Sequence, residues 1–475
     1  MTRLRLILPL LVLVAAATPA ASLADERMPV GFQDDPSFRW RDDRADNLTK
    51  AAQAGATIVR TTVYWSRVAA SRPANAANPF DPAYHFEDID ELVRNDALRG
   101  MTTMLTIWGT PGWANGGLGE NRAPTRMSDL ESFARAVAAR YSGRYPGYPF
   151  VGYYSVWNEP NLAEFLSPTY NAKGQPVSPA IYAQIARAAY AGIKKGNPKA
   201  LVAIGETSPR GRQKPSPDPG KLQDTIAPGL FAQLVAAASA RGPKVRFDAW
   251  AHHPYSALGL GPTAKVRFPN VALTQLPEFE KKLDQWFHRR GIPIWITEYG
   301  FESKPAEPRG VTLAQQAAYA KQALLYARND DRIQMFIWFI FRDDPTSTWQ
   351  SGLLAADNAR KPAFAAFASV ARTLDMRSPI VTIKAGRSNP TVRIPVWELL
   401  VRDGVGTEIG ATVKTYFVRR NIAVSQPTSV IGLDGYASFV VPLRTPPRGG
   451  VYTVSFQIND KNGNRLYRTA TLIAR

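Results

Sequence analysis

The sequence predicts an α/β protein whose large domain is a (β/α)8 barrel, followed by a small all-β domain. Eight short, nearly unbroken apolar runs lie between residues 28 and 342, and such runs are typical of parallel strands buried on both faces. Segments with helical start and stop signals separate them. After about Pro379 the pattern changes to alternating polar and apolar residues, which favours β-strands alone.

The eight apolar runs are the predicted barrel strands. They are MPVGF (28–32), ATIVRTTVY (56–64), MTTMLTIW (101–108), FVGYYSVW (150–157), ALVAIGE (200–206), FDAWAHHPY (247–255), PIWITEYGF (293–301) and QMFIWFIFR (334–342). An open, doubly wound sheet is the alternative arrangement for alternating strands and helices. No glycine-rich phosphate-binding motif follows the first strand, so the sequence favours the barrel.

Helix boundaries between these runs carry recognisable signals. Ser128 to Glu131 and Thr312 to Gln315 have the spacing of capping boxes. Ser178 is followed by a proline, as expected for an N-cap and first turn, and Gly196 precedes a second proline where that helix should end.

Three segments follow from these patterns. Residues 1–24 have two arginines, a short apolar stretch and small residues, which predict a secretory signal peptide. Residues 25–378 form the predicted barrel. Residues 379–475 form the predicted β-sandwich, with an immunoglobulin-like fold, whose role is either packing against the barrel or sugar binding.

Composition narrows the possible chemistry and partners. The chain has no cysteine, which excludes thiol catalysis, thiolate metal sites and disulfides. Its formal net charge of +19 would attract polyanions, but the charge is dispersed and no nucleic-acid module is recognisable. No segment after the leader offers the ~20 uncharged apolar residues of a membrane span. We therefore expect an exported protein without stable membrane insertion, while its oligomeric state is not predicted.

Two glutamates lie at the ends of predicted strands. Glu159 closes the fourth strand in SVWNEPN, and Glu298 closes the seventh in WITEYGF. The carboxyl ends of barrel strands converge on one mouth, so strands three βα units apart should bring both carboxylates to a common cavity. A pair of carboxylates around one cavity is the minimum requirement for glycoside hydrolysis.

These motifs identify a family resemblance. WNEPN on the fourth strand together with ITEYGF on the seventh resembles the clan of retaining (β/α)8 glycoside hydrolases known as clan A, most closely families 39 and 5. The loop GTPGWA (109–114) is similar to a family 39 loop. The resemblance covers roughly residues 28–375, and it implies a glycosidase that cleaves a poly- or oligosaccharide with retention, through a glycosyl-enzyme intermediate. The signal peptide predicts that this enzyme is secreted.

The resemblance also implies a role for each matching residue. Glu298 would be the nucleophile and Glu159 the acid/base, with Asn158 bonded to the sugar 2-hydroxyl. Arg60 and Tyr255 would stabilise the nucleophile. His253 and Trp338 match clan positions that contact substrate.

Several alternatives stay open at this point. Arg60 could form a structural salt bridge inside the barrel, His253 could be a structural histidine, and Trp338 could be a core aromatic. His252 lies one residue out of phase with His253 and is a weaker candidate. Three further tryptophans are either sugar platforms or core residues: Trp65, Trp108 and Trp113.

The implied chemistry needs no metal and no organic cofactor, and four histidines without cysteine predict no zinc cluster. The partner would be a poly- or oligosaccharide, possibly acidic, and not a nucleic acid. A second class of function is a catalytically silent carbohydrate-binding or envelope protein on the same barrel. The sequence does not give the sugar, the linkage, endo or exo action, or a choice between hydrolysis and transglycosylation.

Overall fold

The structure is a computed structural model that describes residues 28–99, 101–218, 222–371 and 374, and the backbone of eight strands between 380 and 474. The first eight strands are parallel and close into a barrel in sequence order. They are β1 (Val30–Gln33), β2 (Ile58–Tyr64), β3 (Thr102–Trp108), β4 (Tyr153–Val156), β5 (Leu201–Thr207), β6 (Ala249–His252), β7 (Ile294–Ile296) and β8 (Ile333–Phe339).

One long helix follows each barrel strand and packs outside it. The helices are α1 (Arg44–Gln53), α2 (Glu87–Leu98), α3 (Met127–Arg140), α4 (Ser178–Gly196), α5 (Pro228–Ala240), α6 (Leu276–Phe287), α7 (Leu313–Arg328) and α8 (Pro362–Ala371). Single-turn helices lie at Trp65–Val68 and Gly112–Asn115. Within the part of the chain that the structure describes, no helix is long and apolar enough to cross a membrane.

The predicted barrel is confirmed, because each of its eight strands overlaps one of the eight apolar runs. β1 also pairs with β8, with Phe32 opposite Trp338, so the sheet has no open edge. The alternative of an open, doubly wound sheet is therefore wrong.

The predicted helix caps had mixed outcomes. The capping box at α7 is confirmed: Gln315 N–H donates to the Thr312 hydroxyl at 3.1 Å, and Thr312 N–H donates to the Gln315 side chain at 2.9 Å. The box at Ser128 is wrong, because α3 begins one residue earlier and Ser128 lies inside its first turn. Ser178 is likewise the first residue of α4 rather than its N-cap.

Side chains alternate along the barrel strands between the interior and the helix layer. The interior-facing apolar residues form a cluster of their own, separate from the main core: Ile58, Met104, Ala203, Ala249, Ala251, Trp295, Met335 and Ile337. The remaining strand residues pack against the helices in that main core. A polar layer lies above the interior cluster, towards the carboxyl ends of the strands, and it contains the site described below.

The C-terminal residues contribute strands, in line with the all-β prediction. A six-stranded sheet and a separate two-stranded sheet are formed by β9 (Ile380–Ile383), β10 (Thr391–Pro395), β11 (Thr412–Arg419), β12 (Ile422–Ser425), β13 (Thr428–Val430), β14 (Tyr436–Val440), β15 (Gly450–Asn459) and β16 (Arg465–Ala474). The immunoglobulin-like fold and the boundary at residue 379 stay predictions. The predicted signal peptide, 1–24, lies outside the described residues.

Candidate active site

The chain turns sharply at the end of β4, and this turn positions Asn158 and Glu159. Trp157 has a φ of 73° and Glu159 a φ of 34°, a left-handed backbone that residues other than glycine rarely adopt. Trp157 is fully buried and its indole N–H donates to the Phe165 carbonyl at 2.7 Å. Packing therefore holds the strained turn, and such strain is typical of functional sites.

A β-bulge at the end of β5 turns a third glutamate into the barrel. Ala203 faces the interior, so regular alternation would point Glu206 outwards. The pairing of β5 with β6 shifts between Gly205 and Thr207, which leaves Glu206 as the extra residue. Gly205 has a φ of 107°, and a Cβ there would lie 2.6 Å from the Trp250 ring, so only glycine fits.

Glu298 follows β7 and is held from two sides. Arg60, on β2, donates to Glu298 Oε1 at 2.7 Å, and the Tyr255 hydroxyl donates to Glu298 Oε2 at 3.2 Å. The same guanidinium contacts Glu206 Oε2 and Asn158 Oδ1, both at 3.2 Å. Arg60 is completely buried, so its charge acts on these carboxylates without screening by bulk water.

His253 lies among all three carboxylates. Its Nε2 is 2.8 Å from Glu206 Oε2, and its Nδ1 is 3.0 Å from Glu159 Oε1 and 3.6 Å from Glu298 Oε2. Burial alone would lower the pKa of His253, but the carboxylates outweigh burial and raise the pKa to about 10. The imidazole is therefore held in its cationic form at neutral pH.

The surroundings also shift the pKa values of Glu159 and Glu206. Burial raises the pKa of Glu159, the charge of Glu298 adds to that rise, and His253 opposes it. Burial would also raise the pKa of Glu206, but Arg60 and His253 outweigh burial and hold the pKa at about 2. The surroundings therefore shift Glu159 towards its protonated form, while Glu206 is ionised at neutral pH.

The two predicted catalytic carboxyl groups lie close together. An oxygen of Glu159, an oxygen of Glu298 and a ring nitrogen of His253 all lie within 4.8 Å of one another. Three such atoms could surround a small cation. The Arg60 guanidinium already neutralises Glu298, however, and both nitrogens of His253 face carboxylates. The arrangement favours proton transfer and nucleophilic attack by carboxylates over metal binding.

Six of the seven site residues predicted from the sequence are brought together at the mouth: Arg60, Asn158, Glu159, His253, Tyr255 and Glu298. His252 points the other way, as its position out of phase predicted. Its Nδ1 contacts the Thr207 hydroxyl at 2.8 Å and its Nε2 the Val271 carbonyl at 3.0 Å. Burial lowers the pKa of His252 to about 3, so it is a neutral structural histidine.

Trp338 does not join the site, and its predicted contact with substrate needs correction. Met335 and Ile337 on β8 face the barrel interior, so alternation turns Trp338 into the helix layer. The ring is completely buried, its centroid is 6.2 Å from that of Phe367 on α8, and its N–H donates to the Ser351 carbonyl at 2.9 Å. Trp338 is a core aromatic.

Sequence reasoning missed three residues of the site. Glu206 lies near the end of β5, but regular alternation would have pointed it at the helices, so the strand pattern did not place it in the site. Gln33 ends β1 and accepts a hydrogen bond from Arg60. Trp349 comes from the loop after β8, and its ring lies 5.2 Å from that of Tyr255. No motif marks that loop, and no sequence signal placed Trp349 here.

The three tryptophans with open alternatives lie in different surroundings. Trp65 is buried and stacked on Phe133 with ring centroids 5.4 Å apart, so it is a core residue. Trp113 is covered by the Arg72 guanidinium at 4.3 Å. Trp108 is half-buried at the end of β3 with its edge towards Tyr64 at 5.7 Å, which places it on the wall of the mouth.

The barrel and its paired carboxylates define a class, the (β/α)8 glycosidases. Comparison with known families agrees: the model of the cellulase family, glycosyl hydrolase family 5, matches residues 25–342. The chain belongs to this family, and the resemblance read from WNEPN and ITEYGF is confirmed. No curated protein matches the sequence.

Several solved structures share the fold at low sequence identity. A family 39 glycoside hydrolase from Bacteroides cellulosilyticus WH2 matches with a TM-score of 0.53 and 16% identity, over 89% of this chain and 80% of that one. A glucosidase from Croceicoccus marinus matches with a TM-score of 0.53 and 15% identity, over 88% of this chain and 96% of that one. A GH5_18 protein from Streptomyces cattleya, in complex with Manβ1-4GlcNAc, matches with a TM-score of 0.51 and 20% identity, over 76% of this chain and 86% of that one.

Proposed function

We propose that the protein is a secreted glycosidase that hydrolyses O-glycosidic bonds of a poly- or oligosaccharide with retention of configuration. The observation that carries this proposal is the close approach of Glu159 and Glu298, because an oxygen of one lies within 4.8 Å of an oxygen of the other. Retaining enzymes hold their carboxyl groups ~5–5.5 Å apart, whereas inverting enzymes need ~6.5–9.5 Å to admit a water molecule. The observed spacing supports direct attack by a carboxylate.

Glu298 is the proposed nucleophile. Arg60 at 2.7 Å and the Tyr255 hydroxyl at 3.2 Å both donate to it, so its carboxylate is held in place and oriented for attack on the anomeric carbon. Its bond to the sugar replaces the bond to the leaving oxygen in the first step. Water then breaks that new bond in the second step.

Glu159 is the proposed acid/base. Burial favours its protonated form, which is what a general acid needs before it transfers a proton to the leaving oxygen. After that transfer the same carboxylate accepts a proton from the attacking water. Asn158 accepts a hydrogen bond from Arg60 through its oxygen, so its amide N–H groups are available for the sugar 2-hydroxyl.

Export is the second part of the proposal. The predicted signal peptide over 1–24 supports it, and mass spectrometry of the mature protein should find a chain that begins after Ala24. The net charge of +19 makes acidic polysaccharides sensible members of a substrate panel. Manβ1-4GlcNAc, the ligand of the Streptomyces cattleya protein, also belongs in that panel.

Proton NMR of the first product tests the proposal. The purified protein is first screened on polysaccharides and aryl glycosides, and a cleaved substrate is then followed before mutarotation is complete. The proposal predicts that the first-formed product has the anomeric configuration of the substrate. An inverted product would refute retention, and binding without any turnover across the panel would favour a carbohydrate-binding protein instead.

A further inference from the structure

His253 presents a chemical problem, because both of its ring nitrogens face a glutamate. A neutral imidazole carries one N–H and one lone pair. If the proton were on Nδ1, the lone pair of Nε2 would point at Glu206 Oε2 only 2.8 Å away. Glu206 is ionised, since Arg60 at 3.2 Å and the Thr297 hydroxyl at 2.7 Å both donate to the same oxygen. That arrangement would be repulsive.

The opposite neutral tautomer would oppose catalysis. With its proton on Nε2, His253 would turn a lone pair towards Glu159 Oε1 at 3.0 Å. The acid proton of Glu159 would then form an O–H to Nδ1 hydrogen bond and point away from the leaving group. Only the doubly protonated ring donates to both glutamates.

The charges of the cluster agree with this arrangement. With Glu159 protonated for its role as acid, the remaining carboxylates are Glu206 and Glu298, and the cations are Arg60 and His253. Two negative and two positive charges then balance in a buried site, where unbalanced charge is expensive. Without Glu206 the site would hold one carboxylate between two cations, and His253 would lose the partner that favours its second proton.

We propose that Glu206 is a positioning residue: it accepts a hydrogen bond from Nε2–H of His253 and so keeps the imidazole cationic. The Nδ1–H of the same ring then donates a hydrogen bond to Glu159 Oε1. The acid proton of Glu159 therefore stays on its other oxygen. The part about Glu159 rests on the proposed function. In the first step that proton passes from Glu159 to the leaving oxygen, and in the second step water returns a proton to Glu159. The two protons of His253 are not consumed.

The direct test is the protonation state of His253, observed in the whole protein without substrate. Selective ¹⁵N labelling of histidine gives signals from four residues, and His253→Gln identifies the one of interest. Long-range ¹H–¹⁵N spectra between pH 6 and 10.5 distinguish the imidazolium from the neutral ring. The titratable groups that face this ring are Glu159 after β4, Glu206 on β5, Tyr255 after β6, Glu298 after β7 and the neighbouring His252.

We expect the wild-type ring to be doubly protonated at pH 7. In Glu206→Gln the midpoint for losing a proton should move down by about 1 to 3 pH units, the usual effect of one opposite charge in contact. Glu206→Asp keeps the negative charge, so its midpoint for the loss of a proton from His253 should stay closer to that of the wild type. Glu280→Gln is the matched control, because Glu280 is a buried carboxyl on α6 whose charged neighbours are Asp284, Asp330 and Arg332.

A neutral His253 in the wild-type protein at pH 7 would overturn the proposal, even if Glu206→Gln failed to fold. An unchanged midpoint in Glu206→Gln would overturn it too. Turnover gives a second readout: Glu206→Gln should lose more kcat/KM on glycosides with poor leaving groups than on activated ones, because only the former need the acid. A protein that hydrolyses no glycoside would refute the proposed function while the NMR result on His253 still stood.

Discussion

Two layers inside the same barrel are equally buried but have opposite chemistry. The lower layer is apolar and combines small and large side chains, such as Ala249 and Ala251 with Trp295 and Ile337. The upper layer, nearer the carboxyl ends, holds Arg60, Glu206 and His253, each with no exposed surface. Both layers come from the same strands: on β6, Ala249 and Ala251 are followed in phase by His253.

The apolar layer contributes mainly to stability, whereas the charged layer contributes mainly to the reaction. An apolar layer is stabilised by packing and by removal of surface from water. Buried charges are costly unless each has a partner, and here every carboxylate touches a cation. Changes in the lower layer should therefore alter stability without altering the reaction. Changes in the upper layer should alter the reaction, and those that leave a buried charge without its partner should lower stability as well.

The largest effect on turnover is expected from Glu298→Ala, which removes the proposed nucleophile. Activity should fall by about 10⁴-fold or more on every substrate, including activated aryl glycosides, because no other carboxylate can form the covalent intermediate. Steady-state kinetics would measure the loss. The melting temperature serves as the folding control, since retained turnover in a folded variant would contradict the assignment.

Tyr255→Phe should have a smaller effect. It removes one charge-assisted hydrogen bond at 3.2 Å to Glu298 while the ring stays in place. We expect kcat to drop about 10- to 100-fold, the value of one such bond, with a smaller change in KM. A defect confined to KM would indicate that the hydroxyl binds substrate and does not act on the nucleophile.

The correction at Trp338 leads to a paired comparison. Trp338→Phe should lower the melting temperature and leave KM unchanged, because the ring packs against α8. Trp349→Ala should raise KM with little loss of stability, since Trp349 is half-buried beside Tyr255. Both constants are measured on one aryl glycoside. A rise in KM for Trp338→Phe alone would restore the original expectation.

Ile337→Ala should have the smallest effect on turnover. The side chain is completely buried in the lower layer, and its truncation should lower the free energy of unfolding by about 2 to 5 kcal/mol. Denaturant unfolding measures that loss, while kcat at a temperature well below the melting point should match the wild type. A large drop in kcat would mean that the two layers are mechanically coupled.

The sequence predicted those features that depend on strand pattern and on residues at strand ends. Unbroken apolar runs identified all eight barrel strands, and Glu159 and Glu298 were found because strand ends converge in a barrel. His253 was found because it matches a position of the resembling clan. Because these runs are apolar throughout, they do not show which residues face the barrel interior and which face the helices. In QMFIWFIFR nothing distinguishes Ile337, which points inwards, from Trp338, which points outwards.

Two other features depend on local geometry that no strand pattern reveals. Glu206 reaches the site only because a bulge at Gly205 reverses its direction, and regular alternation would have pointed it at the helices. Trp349 arrives from a loop, whose path is set by tertiary contacts such as the Trp349 N–H to Ser351 hydroxyl bond at 2.8 Å. The positions of Glu206 and Trp349 both depend on tertiary structure, so they could not be predicted from the sequence alone.

The most direct test of the central claim is the configuration of products formed with azide by two alanine variants. Glu159→Ala should still form the glycosyl-enzyme from an activated aryl glycoside but lack the base for water, a contribution worth ~10²–10⁴-fold. Azide needs no base, so it should restore turnover and give a glycosyl azide with the configuration of the substrate. Any azide product of Glu298→Ala should be inverted, because displacement is then direct. The reverse pattern, inversion with Glu159→Ala and retention with Glu298→Ala, would contradict the account and exchange the two roles.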